Sequence, residues 1–487
     1  MDKHLTNHKQ ELLFVSCNTI FFHEDKNQFS DSHPLNYRFK KENVVQVNSE
    51  NIFYQLSASS VFFNISKIHA HELRFHEDIK PNFEDGDFVS RLLLLESGSN
   101  ISYLPSAKYY YRKRSDGTST LDNSFLDERR YSQLIDNGYL RLLLKSNSDF
   151  GLVPRWLQST MLYELVWIIK SILSNGHKLA FMSDELKSGY IEKVKKLASF
   201  IDDDLILSYS LAGCWFFHKV GILGFLKDKR PDFSIAYAES WDDAKKMLCV
   251  KYFWFGDLPS ESVFVGGKEV FPSYSKKRRH NFFSHEFVSE RILWISLPSS
   301  EDHFTLKLNE EISKITLKGK QFNSGISCNT IIDILCKSDV DLKKINIFAK
   351  TLRSQALSIN SRRNFNNSWI FMDRDTMADD NAEHLYRYVM HNNPEINSFF
   401  VLRKSSSHWD RLEREGFKLL DFDSDDHRVA ILNAKFIISS HADGYAMNPF
   451  PRKDFGDMLK YKYVFLQHGV TKDDLSKWLN PKPIDFF

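Results

Sequence analysis

The chain has 487 residues, more than a single hydrophobic core usually holds, so three or four domains are expected. With 42% hydrophobic and 26% charged residues, the composition is that of a globular protein and excludes general disorder. Lys and Arg number 65 and Asp and Glu number 63, and the resulting formal charge of +2 gives no argument for a nucleic-acid partner.

The cysteines are scattered without CxxC spacing, which indicates neither a zinc site nor a disulfide framework and favours a reducing, cytoplasmic setting. The N-terminus lacks an apolar segment of the signal-peptide type. The apolar run 205–217 is shorter than the roughly 20 residues needed to span a bilayer. It predicts either an ordinary buried helix or a helix lying flat on a membrane through Trp215 and its aromatic neighbours.

Residues 1–120 alternate strands and loops, with strands expected at 12–15, 19–22 and 59–64. An acidic loop then leads into a helix expected at 88–95. Carboxylates just before a helix are kept ionised by its dipole, so one that faces a cleft can act as a base. Capping of the helix by Asp85 and Asp87 is the alternative explanation.

An aromatic strand at 108–111 runs into basic residues and a Gly/Ser/Thr loop at 115–120. Arginine charges and backbone N–H groups in such a loop suit the diphosphate of an activated sugar. The sequence therefore makes Arg112 and Arg114 candidate substrate-binding residues.

Phe83-Glu84-Asp85-Gly86, followed about 25 residues later by the segment 109–114, resembles the acceptor-side half of a family 2 glycosyltransferase of GT-A fold. The resemblance implies that Asp85 deprotonates the acceptor hydroxyl and that Glu84 lies in the substrate site. That family opens with a nucleotide-binding half ending in an Asp-x-Asp metal motif, and we find neither upstream of residue 12. We therefore expect the divalent metal site to be absent and autonomous glycosyl transfer not to occur.

Residues 121–230 have helical periodicity, for example at 161–170 and 190–197, and predict a helical connector. From 231 to 355 the pattern is β-rich, with a Gly-Gly hairpin at 262–271 and strands at 291–295 and 303–308. A small β-sandwich is expected there. Its basic run 276–280 predicts a solvated loop, or a contact for anionic lipid or a polyanionic acceptor.

From 356 to 487 the chain alternates strands and helices as a doubly wound α/β domain does. Strands are expected at 369–372, 398–402, 418–420, 435–440 and 463–467, and helices at 379–390, 408–415, 426–433 and 474–480. Right-handed crossovers place every loop that follows a strand at one sheet edge. A common crevice is therefore predicted for Asp373, Arg403, Ser440, His441 and His468.

The strand at 463–467 ends at His468 and Gly469, where open α/β sheets place their ligands. An imidazole there predicts a general base, or alternatively a residue that caps or hydrogen-bonds the strand end.

The segments 371–386, 437–441 and 465–470 resemble the N-terminal half of the CDP-glycerol glycerophosphotransferases, GT-B enzymes that polymerise glycerol phosphate in bacterial teichoic acids and capsules. The resemblance implies that His468 takes the proton of an acceptor hydroxyl, which attacks the glycerol-bearing phosphorus of CDP-glycerol and expels CMP. Gly469, Asp373, Arg403 and Ser440 are then candidate substrate contacts. His441 either orients acceptor or phosphate groups or is structural.

Together these patterns predict an α/β multidomain chain. It combines a partial GT-A domain at 1–120, a helical connector at 121–230, a β-sandwich-like domain at 231–355 and the Rossmann-like half of a GT-B fold at 356–487. In the glycerophosphotransferase family a second Rossmann-like half of the domain binds cytidine, and we do not find that half before residue 487. We therefore expect a truncated polymerase that is inactive alone and holds no cofactor of its own.

The expected partners are a polyol-phosphate or polysaccharide acceptor and a nucleotide-activated donor, met in the cytoplasm with peripheral association at the membrane. Two alternatives stay open. One is a transferase that uses a different activated polyol or sugar, and the other is a non-catalytic scaffold that binds the acceptor.

Overall fold

The computed structural model describes residues 11–114, 124–243, 245–336, 340–467, 475–479, 482 and 484–486. Contacts divide the chain into two compact units, Met1–Leu335 and Cys336–Phe487. Each contains sheets and helices, so the predicted mixed α/β class is confirmed, whereas the predicted domain boundaries stay predictions. The loop at 115–120 and the residues His468 and Gly469 lie outside the described residues.

The first sheet of unit 1 is organised around two long parallel strands, with short antiparallel strands on both sides. The strands are β1 (Leu12–His23), β2 (Gln28–Ser30), β3 (Asn43–Gln46), β4 (Val61–Phe63) and β5 (Asn100–Lys113). The strands predicted at 12–15 and 19–22 are one continuous strand, β1. Its polar middle does not break it, because Ser16 donates to Gln55 at 2.7 Å and Asn18 donates to Asp31 at 3.0 Å.

The helices of this part of unit 1 pack with the sheet in one apolar core. They are α1 (Ile65–Ala70), α2 (Glu84–Leu95), α3 (Arg129–Leu134), α4 (Arg141–Phe150), α5 (Arg155–Asn175), α6 (Asp184–Ser199), α7 (Asp203–Ser208) and α8 (Phe216–Gly221). The single helix predicted at 205–217 is wrong. Ala212 and Gly213 have positive φ angles of 54° and 64°, and this left-handed backbone separates α7 from α8. Among the helices of the described residues, none is long and apolar enough to cross a bilayer.

The β-rich part of unit 1 contains two sheets around a shared apolar core. Its elements are β6 (Ile235–Asp242), β7 (Met247–Trp254), β8 (Glu261–Val265), β9 (Lys268–Val270), β10 (Tyr274–Phe282), β11 (His285–Ser296), β12 (His303–Leu308), β13 (Glu311–Ile312), β14 (Lys314–Leu317), β15 (Lys320–Phe322), β16 (Ile326–Ser327) and the helix α9 (Cys328–Cys336). The predicted Gly-Gly hairpin is confirmed as β8 and β9.

The basic run 276–280 was predicted to be a solvated loop, and this is wrong. It lies within β10, which pairs antiparallel with β11. The run alternates between the two faces of its sheet, because successive residues of a strand point to opposite sides. Arg278 and His280 consequently lie on the same face, and both contact Glu290, a buried residue of β11.

Unit 2 is built on a parallel sheet whose strands lie in the order β19-β18-β17-β20-β21. This is the doubly wound order in which the first and fourth strands are neighbours and a crevice opens at their carboxyl ends. The strands are β17 (Ser368–Met372), β18 (Ser398–Leu402), β19 (Leu419–Asp421), β20 (Ala434–Ser439) and β21 (Lys462–Phe465). All the predicted strands of this part are confirmed in type and approximate position.

The helices of unit 2 alternate with these strands as predicted. They are α10 (Ile347–Leu357), α11 (Ile359–Phe365), α12 (Asn381–Asn392), α13 (Trp409–Arg414), α14 (Asp425–Asn433), α15 (Gly444–Met447), α16 (Arg452–Phe455) and α17 (Ser476–Leu479). The N-terminus of α14 is capped by Ser424, whose hydroxyl accepts from the N–H of His427. Leu352 and Ala356 of α10 are buried in the core of this unit.

An acidic side chain of α12 ties that helix to α13. Glu383 is 1% exposed and accepts a bidentate pair of hydrogen bonds from Arg411, both 2.8 Å long, and one of 2.7 Å from Arg387. Burial alone would raise the pKa of Glu383, but the hydrogen bonds and charges of the two arginines outweigh it and bring the pKa to about 2.

Because the folded pKa of Glu383 lies below the unfolded value of 4.5, the carboxylate stabilises unit 2 above about pH 4.5. We expect about 3 kcal/mol of that stability to be lost as the pH falls from 4.5 towards 2. Urea unfolding of the wild type and of Glu383→Gln between pH 2 and 7 measures this effect. A stability difference between the two proteins that does not shrink on acidification would contradict the assignment.

Candidate functional site

The carboxyl end of β17 holds a buried carboxylate, Asp373, which is 1% exposed. Its Oδ1 accepts from the N–H of Ala382 at 3.0 Å and from the Ser440 hydroxyl at 2.6 Å. Its Oδ2 accepts from the N–H groups of Asp380 at 3.1 Å and Glu383 at 3.2 Å. Burial raises the pKa of this carboxyl, against the opposing effect of these donors. The side chain therefore joins β17, the first turn of α12 and the end of β20.

Ser440 and His441 follow β20, the neighbour of β17 at the point where the strand order reverses. The Ser440 Oγ accepts from the N–H of Ala382 at 2.9 Å in addition to donating to Asp373. His441 is 8% exposed, and its Nε2 lies 3.4 Å from the Arg374 Nε and 3.9 Å from the Asp380 Oδ2. The imidazole is thus placed between a guanidinium and a carboxylate at the sheet edge.

Arg403 follows β18 at the same sheet edge, and its side chain pairs with Asp375 rather than with Asp373 or His441. Its Nε donates to the Asp375 Oδ2 at 2.6 Å, and its guanidinium lies 4.6 Å from the centre of the Phe422 ring. The backbone N–H of Arg403 also donates to the Asp375 carbonyl at 2.8 Å. These contacts fix the loop between β17 and α12 and leave the Arg403 side chain 42% exposed.

Gln467, the residue directly before His468, lies at the same sheet edge. The Asn381 side-chain amide, in the first turn of α12, donates to the Gln467 carbonyl at 2.6 Å. Asp373, Ser440, His441 and Gln467 are therefore connected through the start of α12. His468 and Gly469 lie outside the described residues, so their predicted roles stay predictions.

Sequence reasoning missed three residues of this edge: Arg374, Asp380 and Asn381. Their signal was available, because Arg374 follows the first predicted strand, and Asp380 and Asn381 lie at the acidic start of the next predicted helix. A βα loop at a strand-order reversal is where such sheets bind ligands. The helix N-terminus there adds a positive dipole end, while its first N–H groups donate to Asp373, Ser440 and Asp380.

The second candidate site is the start of α2 in unit 1, and its carboxylates differ in environment. Glu84 is exposed, and the Asp85 Oδ2 accepts from the N–H of Ala58 at 2.9 Å while the side chain remains half-buried. Asp87 is 0% exposed and forms ion pairs of 2.8 Å with Arg91 and 3.1 Å with Arg141. Asp85 is thus the partly accessible member of the predicted Glu-Asp pair, and Asp87 is structural.

The different environments of Asp85 and Asp87 predict that replacing each by asparagine changes the stability of unit 1 by different amounts. Asp87→Asn should destabilise unit 1 by about 3 kcal/mol, because two partly buried arginines lose their charged partner. Asp85→Asn should cost less than about 1 kcal/mol, because its amide oxygen still accepts from Ala58. Urea denaturation of both variants measures these free energies. Equal destabilisation would contradict the assignment of a structural role to Asp87 and not to Asp85.

The predicted donor contacts lie at the end of β5. Arg112 is exposed and forms an ion pair with Glu24, and Arg114 is exposed. The loop that follows, at 115–120, lies outside the described residues. Among the residues that the structure describes, no group of three or more His, Cys, Asp or Glu side chains is placed to hold a metal ion.

The parallel sheet and its polar edge occur in a segment that matches a known family. Residues 355–477 match the family model described as CDP-Glycerol:Poly(glycerophosphate) glycerophosphotransferase. The resemblance predicted from the sequence is thereby confirmed.

The chain is also similar to two proteins of Bacillus subtilis (strain 168). It is 24% identical over 551 residues to the minor teichoic acid biosynthesis protein GgaB, in an alignment covering 97% of this chain and 59% of GgaB. It is 28% identical over 164 residues to the minor teichoic acid biosynthesis protein GgaA, covering 32% of this chain and 36% of GgaA. The chain therefore spans less than two thirds of the length of either relative.

Proposed function

We propose that unit 2 contributes the acceptor-binding, Rossmann-like half of a GT-B glycerophosphotransferase. The enzyme transfers glycerol phosphate from CDP-glycerol to a hydroxyl of a growing teichoic-acid-type polymer and releases CMP. The observation that supports this most strongly is the edge formed by Asp373, Ser440 and His441. It lies at the strand-order reversal of a parallel sheet within the family segment.

The proposed reaction assigns the base to His468. Its imidazole takes the proton of the acceptor hydroxyl, the acceptor oxygen forms a new bond to the glycerol-bearing phosphorus, and the bond from that phosphorus to CMP breaks. An imidazole suits this step because its ordinary pKa lies near neutral pH. The acceptor end of such a polymer carries phosphate, which the exposed Arg374 and the partly exposed Arg403 are able to bind.

Asp373 has a positioning role in this proposal. It is buried and its four hydrogen-bond donors all come from the protein, so it acts on the site by fixing α12 against β20. His441 is held by Arg374 and Asp380, and we assign it to the orientation of the acceptor. A direct substrate contact, predicted for both Asp373 and His441, is retained for His441 only.

Unit 1 is proposed to supply the acceptor side of a family 2 glycosyltransferase, with Asp85 as the base. The partial accessibility of Asp85 beside the fully paired Asp87 supports this choice. Similarity to GgaB over 97% of this chain agrees with one protein that carries both parts.

Phosphorus NMR of a reaction with the full-length protein tests the donor and the chemistry together. With CDP-glycerol and a glycerol-phosphate oligomer as acceptor, we expect a new phosphodiester signal and an equal amount of CMP. Parallel reactions contain CDP-ribitol or UDP-activated sugars in place of CDP-glycerol. Turnover of one of these and not of CDP-glycerol would contradict the donor assignment. Oligomer binding without turnover of any donor would favour the non-catalytic scaffold.

A further inference from the structure

The sheet of β10, β11, β7, β6, β14 and β15, called the β10 sheet below, has one face in the core of the β-rich part. Along β7 the burial alternates: Leu248, Val250 and Tyr252 are buried, and Cys249 and Lys251 are partly exposed. Because alternate residues of a strand share a face, the partly exposed residues define an outer face of this sheet.

Helix α8 covers one end of the outer face. The Phe217 ring lies 5.3 Å from the ring of Phe253 and 4.8 Å from that of His280, measured between centroids. At the other end lie two cross-strand rows that we call the platform. The platform residues are Tyr274 and Trp294 in the first row and Lys276, Ile292 and Lys251 in the second.

The first platform row is aromatic and accessible. Tyr274 is 62% exposed, and Trp294 lies directly opposite it on β11 and is partly exposed. Cross-strand partners on one face have Cβ atoms about 5 Å apart, so Tyr274 and Trp294 are neighbours on this face. Exposed aromatic side chains that neighbour each other on a sheet face offer a contact surface for a ligand.

The second platform row is cationic. Lys276 and Lys251 are two strands apart, a separation of about 10 Å, and each lies about 7 Å along its strand from the first row. Lys251 forms an ion pair of 2.9 Å with Glu239. Burial lowers the pKa of Lys276, and the neighbouring charge of Arg278 lowers it further against the opposing charge of Glu290.

We propose that the platform binds a phosphodiester-linked sugar or polyol polymer, with its carbon backbone on Tyr274 and Trp294 and its phosphates beside Lys276 and Lys251. This rests on the proposed function, in which such a polymer is the acceptor. An apolar row beside a cationic row suits a chain that carries both carbon units and phosphates. Binding at the platform keeps the acceptor on the protein between transfers and raises its effective concentration.

A polymer fits the platform better than a lipid surface does. Proteins that insert aromatic side chains into membranes usually carry them on an amphipathic helix with a strongly basic face. Here the aromatic rings lie in a strand row, and acidic side chains at Glu239 and Glu290 lie among the cations. Such mixed charges at fixed positions favour a discrete ligand with its own donors and acceptors.

The test is direct binding of glycerol-phosphate oligomers to the full-length protein, measured by calorimetry without CDP-glycerol. Tyr274→Ala and Lys276→Gln should each weaken binding about tenfold, which corresponds to about 1.4 kcal/mol. Matched control substitutions are Tyr388→Ala, which removes a tyrosine 60% exposed in unit 2, and Lys268→Gln, in the opposite sheet. Both should leave the affinity unchanged.

Three further probes identify the ligand class. Polyphosphate of equal charge and neutral dextran should each bind at least tenfold more weakly than the glycerol-phosphate oligomer. Vesicles of anionic lipid should bind equally well to the wild type and to Tyr274→Ala. Oligomer affinity that is unchanged in both platform variants would overturn the proposal, as would loss of vesicle binding in Tyr274→Ala. The binding assay contains no donor and therefore does not depend on catalysis. Its result tests the platform even if the protein does not transfer glycerol phosphate.

Discussion

Replacing His468 by alanine is expected to lower the rate of glycerol phosphate transfer by about 10²- to 10⁴-fold, the usual contribution of a general base. The physical reason is the acceptor hydroxyl, which is a weak nucleophile until a base accepts its proton. The measurement is the initial rate of transfer of labelled glycerol phosphate from CDP-glycerol by the full-length protein at saturating acceptor.

The matched control is His384→Ala, because His384 is an exposed histidine of α12 in the same unit. That variant should retain wild-type activity. Binding of the glycerol-phosphate oligomer should be unchanged in His468→Ala, because the base acts on the rate rather than on acceptor affinity. An active His468→Ala protein would show that another group removes the proton.

Replacing Asp373 by alanine is expected to destabilise unit 2 by about 3 to 5 kcal/mol. The substitution removes the acceptor of three backbone N–H groups and of the Ser440 hydroxyl in a buried position. Each buried donor left without a partner costs about 1 to 3 kcal/mol, and local rearrangement recovers part of the total.

Urea unfolding followed by fluorescence measures this effect, with Asp410→Ala as the control. Asp410 is an exposed carboxylate in the first turn of α13, and its loss should cost less than about 1 kcal/mol. Asp373→Asn should fall between the two, since the amide keeps one oxygen acceptor. A midpoint for Asp373→Ala equal to that of the wild type would show that the carboxylate does not fix α12 against β20.

The strands of unit 2 were predictable because parallel strands buried on both faces are nearly continuous apolar runs. β18 has the predicted bounds, and β17, β20 and β21 lie within one or two residues of them. The rule that crossovers are right-handed then placed Asp373 and Ser440 at one edge, and their 2.6 Å hydrogen bond confirms that they meet.

The role of Asp373 was not predictable from the sequence. An aspartate after a strand has the same local pattern whether it faces a substrate or caps a helix from within the core. Only the convergence of donors from α12 and β20 distinguishes the two cases.

The secondary structure of the basic run at 276–280 also depends on tertiary contacts. Its charges predicted a loop, but β10 accommodates them because Glu290 of the neighbouring strand pairs with one face.

The split between α7 and α8 had a weak local signal. Gly213 lies inside the apolar run 205–217, and glycine often adopts positive φ angles. The positive φ of Ala212 carries no such signal, because an alanine rarely adopts that conformation.

The pH dependence of glycerol phosphate transfer from CDP-glycerol by the wild-type protein tests the central claim most directly. If a neutral imidazole is the base, kcat/KM should fall about tenfold for each pH unit below an apparent pKa of about 6.5, and this limb should disappear in His468→Ala. A profile that stays flat between pH 5 and 8, or a limb that persists in His468→Ala, would contradict the claim.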